Sequence, residues 1–327
     1  MNVRATESAA TLQSAVTEAP ERAKFEPGYV FAAIGAALFS TKAVIVKLAY
    51  GVQLDPETLL ALRMGLSLPF YIGIGALALR DRHQRNLPIP GIRLWIHAGL
   101  VGLLGYWFSS YADFLGLKYI SAQFERLILF TYPLFVVLLG AAFFGQRVNR
   151  RILAAFAISY FGLAIIFSEN FSLQGSNVAI GAALVSASSV AFALYQLFAK
   201  NPISRMGPQL FTCVAMGAAA IGAFAQFFVG HPASALFVTG QPLAYAVLIA
   251  IGATVIPSFF LNAALHRISA QANSAIGTIS PIITIILSAI ILHEPLTVLG
   301  MCGALLVMAG IGWFTLAGRA ANEQFES

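Results

Sequence analysis

The sequence is short of charge. Of its 327 residues, 10% are Asp, Glu, Lys or Arg, where a soluble domain carries about 25%. So few charges cannot cover the surface of a soluble protein of this size. Cysteine is scarce too. Cys213 and Cys302 both lie in apolar runs without metal-ligand spacing, which argues against a disulfide framework and a thiolate metal site. Both read as small apolar residues. Catalytic signatures are missing: there is no Gly-x-Ser-x-Gly, no His-Glu-x-x-His and no pair of aspartates within a span. An intramembrane enzyme is therefore disfavoured, and no metal or cofactor is expected. Residues 1–26 contain no apolar h-region and do not read as a signal peptide. They are rich in Ala, Ser, Thr and Glu, the composition of a disordered tail.

What the chain has in abundance is apolar residues, at 59%, with a mean hydropathy of +0.82. A membrane-spanning helix needs about 20 of them in a row. Ten such runs are found: 28–49, 57–79, 94–115, 121–145, 151–168, 176–199, 208–229, 243–265, 271–292 and 297–317. The longest connection, 80–93, is too short for a soluble domain. The fold class predicted is an all-α integral membrane protein with ten transmembrane helices. Charge orients it. With the N-terminus inside, fourteen Lys and Arg residues fall in cytoplasmic parts and only Lys118 in an external loop. That bias is the positive-inside pattern, and it places both termini in the cytoplasm. The net charge of +6 is distributed along helix ends, so it does not imply a nucleic-acid partner.

An internal repeat underlies the run of spans. Ile120-Ser121-Ala122-Gln123 recurs as Ile268-Ser269-Ala270-Gln271, an offset of 148. At the same offset Ser40 meets Ser188, Pro133 meets Pro281, Gln146 meets Glu294 and Gly162 meets Gly310. The predicted organisation is a tail (1–27), a first five-helix repeat (28–168), an external linker (169–175), a second repeat (176–317) and a C-terminal tail (318–327). Five spans is an odd number, so the second copy sits upside down relative to the first. Inverted repeats build many secondary transporters, whose substrate site lies near the midplane between the copies.

Several stretches carry a resemblance. Leu117-Lys118-Tyr119-Ile120-Ser121-Ala122, Tyr132-Pro133-Leu134-Phe135 and Phe144-Gly145-Gln146-Arg147 resemble the first signature of the EamA-type drug/metabolite transporter family. Leu265-His266-Arg267-Ile268-Ser269-Ala270, Ser280-Pro281-Ile282-Ile283 and His293-Glu294-Pro295-Leu296 resemble the second. The resemblance implies ten helices, cytoplasmic termini and, mostly, export of metabolites across the bacterial inner membrane. Gly145-Gln146 after Tyr132-Pro133 is similar to the aromatic amino-acid exporter branch.

Charges within lipid are costly and mark function or pairing. Lys42, Lys47, Arg63, Asp113, Glu125 and Arg126 all fall in the outer halves of first-repeat spans, and their partners at the offset are uncharged. Helical spacing groups Ser40 with Val44 and Lys47, Trp107 with Tyr111 and Phe114, and Glu125 with Leu129 and Tyr132. In the second repeat it groups Ser188 with Phe192 and Tyr195, Asn273 with Gly277 and Ser280, and Thr254 with Ser258 and Asn262. These faces are predicted to wall a central cavity. The candidate substrate-binding residues are Ser40, Lys47, Trp107, Tyr111, Glu125, Tyr132, Ser188, Tyr195, Asn262, Asn273 and Ser280. Their chemistry suits a zwitterion: lysine for a carboxylate, glutamate for an ammonium, aromatic faces for a side chain. Blander readings stand beside these. Lys42 and Lys47 would snorkel to the interface, Arg126 would pair with Asp113, Trp107 and Tyr111 would form an interfacial belt, and the serines would pack helices. Mid-span Pro133 and Pro281 are candidate hinges. Glu125 is the candidate proton carrier. The function expected is export of amino acids or similar metabolites, working as a monomer in the lipid bilayer, with protons as a candidate coupling ion. Efflux of hydrophobic cations is the alternative.

Overall fold

The computed structural model describes residues 27–145, 150–265, 267, 276–277 and 279–326. The side chains of 144, 152, 173–174, 259, 261–263, 265 and 315–326 are not among those described. Among the described residues every regular element is a helix.

Local chemistry sets where the helices begin and end. α1 (Pro27–Ser40) and α2 (Lys42–Gly51) are parted only by a turn at Thr41. α3 (Pro56–Gln84) starts at Asp55, whose carboxylate accepts the Thr58 amide at 2.9 Å, with a proline in the first turn. α4 (Ile92–Gly102), a π-helical segment (Leu103–Phe108) and α5 (Ser109–Gly116) follow one another without a gap. Ser121 caps α6 (Ala122–Leu129), and after a break at Phe130 and Thr131 comes α7 (Tyr132–Phe144). α7 stops at Gly145, which takes the left-handed φ of 64° that glycine adopts without strain. The rest are α8 (Arg150–Gln174), α9 (Asn177–Met206), α10 (Pro208–Gly230) and α11 (Gln241–Val247), then a second π-helical segment (Leu248–Val255). That segment leads into α12 (Ile256–Leu265), followed by α13 (Ile279–Ile291) and α14 (Val298–Glu326).

Seven helical segments are long and apolar enough to cross a membrane: 27–51, 56–84, 122–143, 153–172, 177–206, 208–230 and 241–258. Shorter apolar helices cover Ile279–Ile291 and Val298–Phe314. Several helices outrun the apolar runs that announced them. α3 extends to Gln84 and α9 to Met206, because a helix continues past the hydrocarbon where its polar end meets water and headgroups. The outside of the bundle is apolar. Ile72, Leu77, Phe161, Ile221 and Leu305 are each more than 60% exposed, as a surface solvated by lipid chains requires. The molecule is a multi-pass membrane protein.

Packing follows the sequence offset of 148. The most extensive interface joins α8 to α14, followed by α3 with α10, α1 with α12, and α9 with α5. Moving each helix by 148 positions exchanges α8 with α14, α3 with α10, and α1–α12 with α9–α5. All four interfaces therefore map onto the same set. The π-helical segments map as well: Leu103–Phe108 shifted by 148 falls on 251–256, overlapping Leu248–Val255. At the α8–α14 interface the backbones nearly touch. A Cβ on Gly162 would stand 2.6 Å from the Gly303 carbonyl oxygen, so only glycine fits there.

Candidate functional site

Four charged side chains meet inside the bundle, at the end bearing Asp55. Lys42 Nζ donates to Asp113 Oδ2 at 2.6 Å, tying α2 to α5. Lys42 is 8% exposed and Asp113 1%, so Lys42 is a buried ion-pair partner and does not snorkel to the interface. Glu125 of α6 is fully buried, and neither of its carboxylate oxygens has a hydrogen-bond partner among the described residues. Asp113 is its like-charged neighbour, and Asp113 Oδ1 is likewise unpartnered. Arg126 stands with its Nε 3.9 Å from Glu125 Oε2 and donates from Nη2 to the Phe39 carbonyl of α1. Unmatched buried carboxylate oxygens are costly, and one proton held between the two acids would satisfy two of these three.

A second centre surrounds Arg63 of α3. Its Nε donates to Thr254 Oγ1 at 3.0 Å and its Nη1 to Ser110 Oγ at 3.1 Å. The guanidinium lies over the Phe114 ring, 5.5 Å from its centroid, a cation–π arrangement. No carboxylate of the described residues lies within 4 Å of it. The side chain is 5% exposed. This is a buried cation held by neutral oxygens and an aromatic face. Nearby, the Tyr71 hydroxyl is 3.3 Å from Ser258 Oγ, and the Tyr195 hydroxyl donates to that of Tyr106 at 3.0 Å. Phe192 stacks on Tyr195 and meets Tyr132 edge-on, with centroids at 5.5 and 5.1 Å.

The serine faces are brought together across helices. Ser40 Oγ lies 2.8 Å from Ser280 Oγ, joining α1 to α13, and Thr284 Oγ1 donates to the Ser40 carbonyl at 2.9 Å. Ser188 Oγ is 2.9 Å from Ser109 Oγ and donates to the Ser109 carbonyl, joining α9 to α5. These serines, completely buried at Ser40 and Ser188, bond helix to helix. Trp107 and Tyr111 lie elsewhere. Trp107 Nε1 donates to Gln226 Oε1 of α10 at 2.8 Å, in an apolar groove along Leu103, Ala218 and Gly222. The Tyr111 hydroxyl donates to Glu57 at 2.9 Å. Lys47 opens onto a separate pocket with Gln123 and Glu169. Pro133 sits in the first turn of α7, just after the break at Phe130 and Thr131. Pro281 lies in the first turn of α13. Asn273 and the side chain of Asn262 lie outside the described residues.

Arg63, Asp113, Thr254 and Ser258 were visible in the sequence as polar residues within spans. Ser110, Tyr71 and Tyr106 were not singled out. What joins them is contact between helices distant in sequence, and no local pattern signals that.

Comparison with known proteins places this geometry. The model of the EamA-like transporter family matches twice, over 26–168 and 179–316. An uncharacterized transporter of Bacillus subtilis, YcbK, is 31% identical over 304 residues, covering 87% of this chain and 92% of its own. A protein of Escherichia coli named a probable amino-acid metabolite efflux pump is 27% identical over 229 residues, covering 64% and 74% respectively. A crystal structure 17% identical in sequence superposes with a TM-score of 0.59, over 90% of this chain and 98% of that one, and so shares the fold. The chain belongs to the EamA-like transporter family.

Proposed function

We propose that this protein exports amino acids or similar small metabolites across the bacterial inner membrane by alternating access. One observation carries the substrate class. Arg63 is buried at the meeting of α3, α5 and the second π-helical segment, and no carboxylate balances it within 4 Å. A substrate carboxylate supplies the missing anion in bidentate geometry. The rings of Tyr106, Tyr195, Phe192 and Tyr132 offer aromatic faces for an ammonium or an apolar side chain. A hydrophobic cation would meet repulsion from Arg63, which disfavours the drug-efflux reading.

The architecture we propose is ten spans in two inverted halves, with both termini cytoplasmic and the chain working as a monomer. Three findings support it: the doubled family match, the interfaces that exchange under a shift of 148, and the paired π-helical segments. Helices broken at equivalent depths are a common device of inverted-repeat transporters. Glu125 is proposed as the proton carrier. It shares a proton with Asp113 while the site is dry and yields it when the Asp55 end opens to water. The break before Pro133 gives α6 and α7 a joint about which they swing.

The test is counterflow of labelled amino acids in proteoliposomes. Arg63→Met is expected to abolish carboxylate-dependent counterflow, and Arg63→Lys to retain part of it. Unchanged counterflow in Arg63→Met would remove this residue from the site.

A further inference from the structure

A pocket of about 180 Å³ opens between α2, α6, α8, α13 and α14, apart from Arg63 and its aromatic neighbours. Part of its polar lining is unspent. Lys47 makes no hydrogen bond or ion pair among the described residues, although Glu294 and Glu125 are its acidic neighbours. Glu294 is already committed: its two oxygens accept the amides of Ala122 and Gln123 at 2.8 and 3.2 Å. With Ser121 capping Phe124, the amides at the start of α6 are consumed, and that helix end offers no anion site. Gln123 Nε2 is buried in the same lining without a partner. Across the pocket, the Glu169 carboxylate makes no hydrogen bond or ion pair among the described residues. It leans over Gly300, where a Cβ would stand 3.2 Å from Glu169 Oε2. Leu127, Ile166, Ile285 and Met301 complete the wall.

We propose that this pocket is a second binding site, on the outer face, for a small aliphatic α-amino acid. The carboxylate takes Lys47 Nζ and Gln123 Nε2, and the ammonium takes Glu169. The apolar wall receives the side chain. This rests on the transport reading for its place as an exit site, and deepens it by naming the ligand. A cation and an anion without a partner among the described residues, and a buried amide donor likewise unpartnered, lie round one cavity and match the three polar demands of a zwitterion. The volume, about six waters' worth, suits one small solute and falls below the roughly 300 Å³ at which drug-sized ligands begin to fit.

The probe is labelled L-valine, with binding measured on the purified full chain. Isovalerate lacks the ammonium and isobutylamine the carboxylate. Valine is expected to bind saturably, with each analogue weaker by about ten-fold or more, the cost of one lost charged hydrogen bond. Lys47→Met and Glu169→Gln should each weaken valine by a similar factor, and Lys47→Arg should restore most of it. Gly300→Ala, whose Cβ would crowd both Thr297 Oγ1 and Glu169 Oε2, should also weaken valine. Absence of saturable valine binding, analogues that match valine, or wild-type binding in both Lys47→Met and Glu169→Gln would overturn the site. So would loss of binding in Arg63→Met with binding intact in Lys47→Met, since the ligand would then be at Arg63. Amino-acid flux in proteoliposomes separates the two readings. Flux without valine binding sinks this site and leaves transport standing. Valine binding at Lys47 without flux of any amino acid does the reverse.

Discussion

Lys42 meets Asp113 at 2.6 Å inside the bundle, and removing either partner leaves the other a buried charge without its ion-pair partner. Lys42→Met is expected to destabilise the protein by roughly 3–5 kcal/mol, the usual cost of an orphaned buried charge. The double variant Lys42→Met with Asp113→Leu should recover much of that loss, because an apolar pair carries no desolvation penalty. Thermal unfolding in detergent checks both. A double variant no more stable than the single would show that the pair does not act as one unit. Glu125 is expected to matter differently. Glu125→Gln keeps the volume and removes the titrating group, so flux should persist and lose its dependence on pH. The residue types were legible in the sequence, since charge is so rare within the spans. Their partners were not. Lys42 and Asp113 are 71 positions apart, Arg63 and Thr254 are 191 apart, and no local pattern encodes such meetings.

Between residue and molecule lies the helix, and here two interruptions matter. Grouping Glu125, Leu129 and Tyr132 on one face assumes unbroken helical geometry. The break at Phe130 and Thr131 releases Tyr132 to meet Phe192, while Glu125 turns to Asp113. The segment Leu103–Phe108 likewise takes the wider turn of a π-helix, with more residues per turn, and Trp107 goes to Gln226 while Phe114 goes under Arg63. Runs of apolar residues located the helices because lipid demands continuous apolar length. They could not disclose a change of pitch within a run. Two predictions belong at this scale. A side chain at Gly162 would press on the Gly303 carbonyl, so Gly162→Leu should destabilise the α8–α14 contact by about 1–3 kcal/mol, read as a lower melting temperature. Asp55 starts α3 outside the spans. Partial burial pushes its carboxyl up, but hydrogen bonds from Thr58 more than offset this and hold it below its ordinary value of 3.8. A carboxyl lowered in the folded state stabilises fully above that value, and its contribution fades as pH falls through the lowered one. Asp55→Ala should therefore cost about 1 kcal/mol at neutral pH, and the difference from wild type should shrink on acidification below pH 3.8.

At the scale of the whole molecule, the fixed offset of 148 reappears in three dimensions. Interfaces exchange in pairs and the π-helical segments fall at matching places. The offset was legible because it is written into fixed sequence register. The charge asymmetry between halves was legible too, and its structural outcome is a buried cluster of Lys42, Asp113, Glu125 and Arg126 in the first half. On the proposed function, two halves that oppose each other around buried Arg63 would give a route by which a small carboxylate passes from one side to the other. The direct measurement is efflux of labelled amino acids from proteoliposomes, with and without an imposed pH gradient. Wild type is expected to show saturable efflux that the gradient accelerates, that Arg63→Met abolishes, and that Glu125→Gln leaves insensitive to the gradient. No efflux of any amino acid from active-folded protein would contradict this expectation.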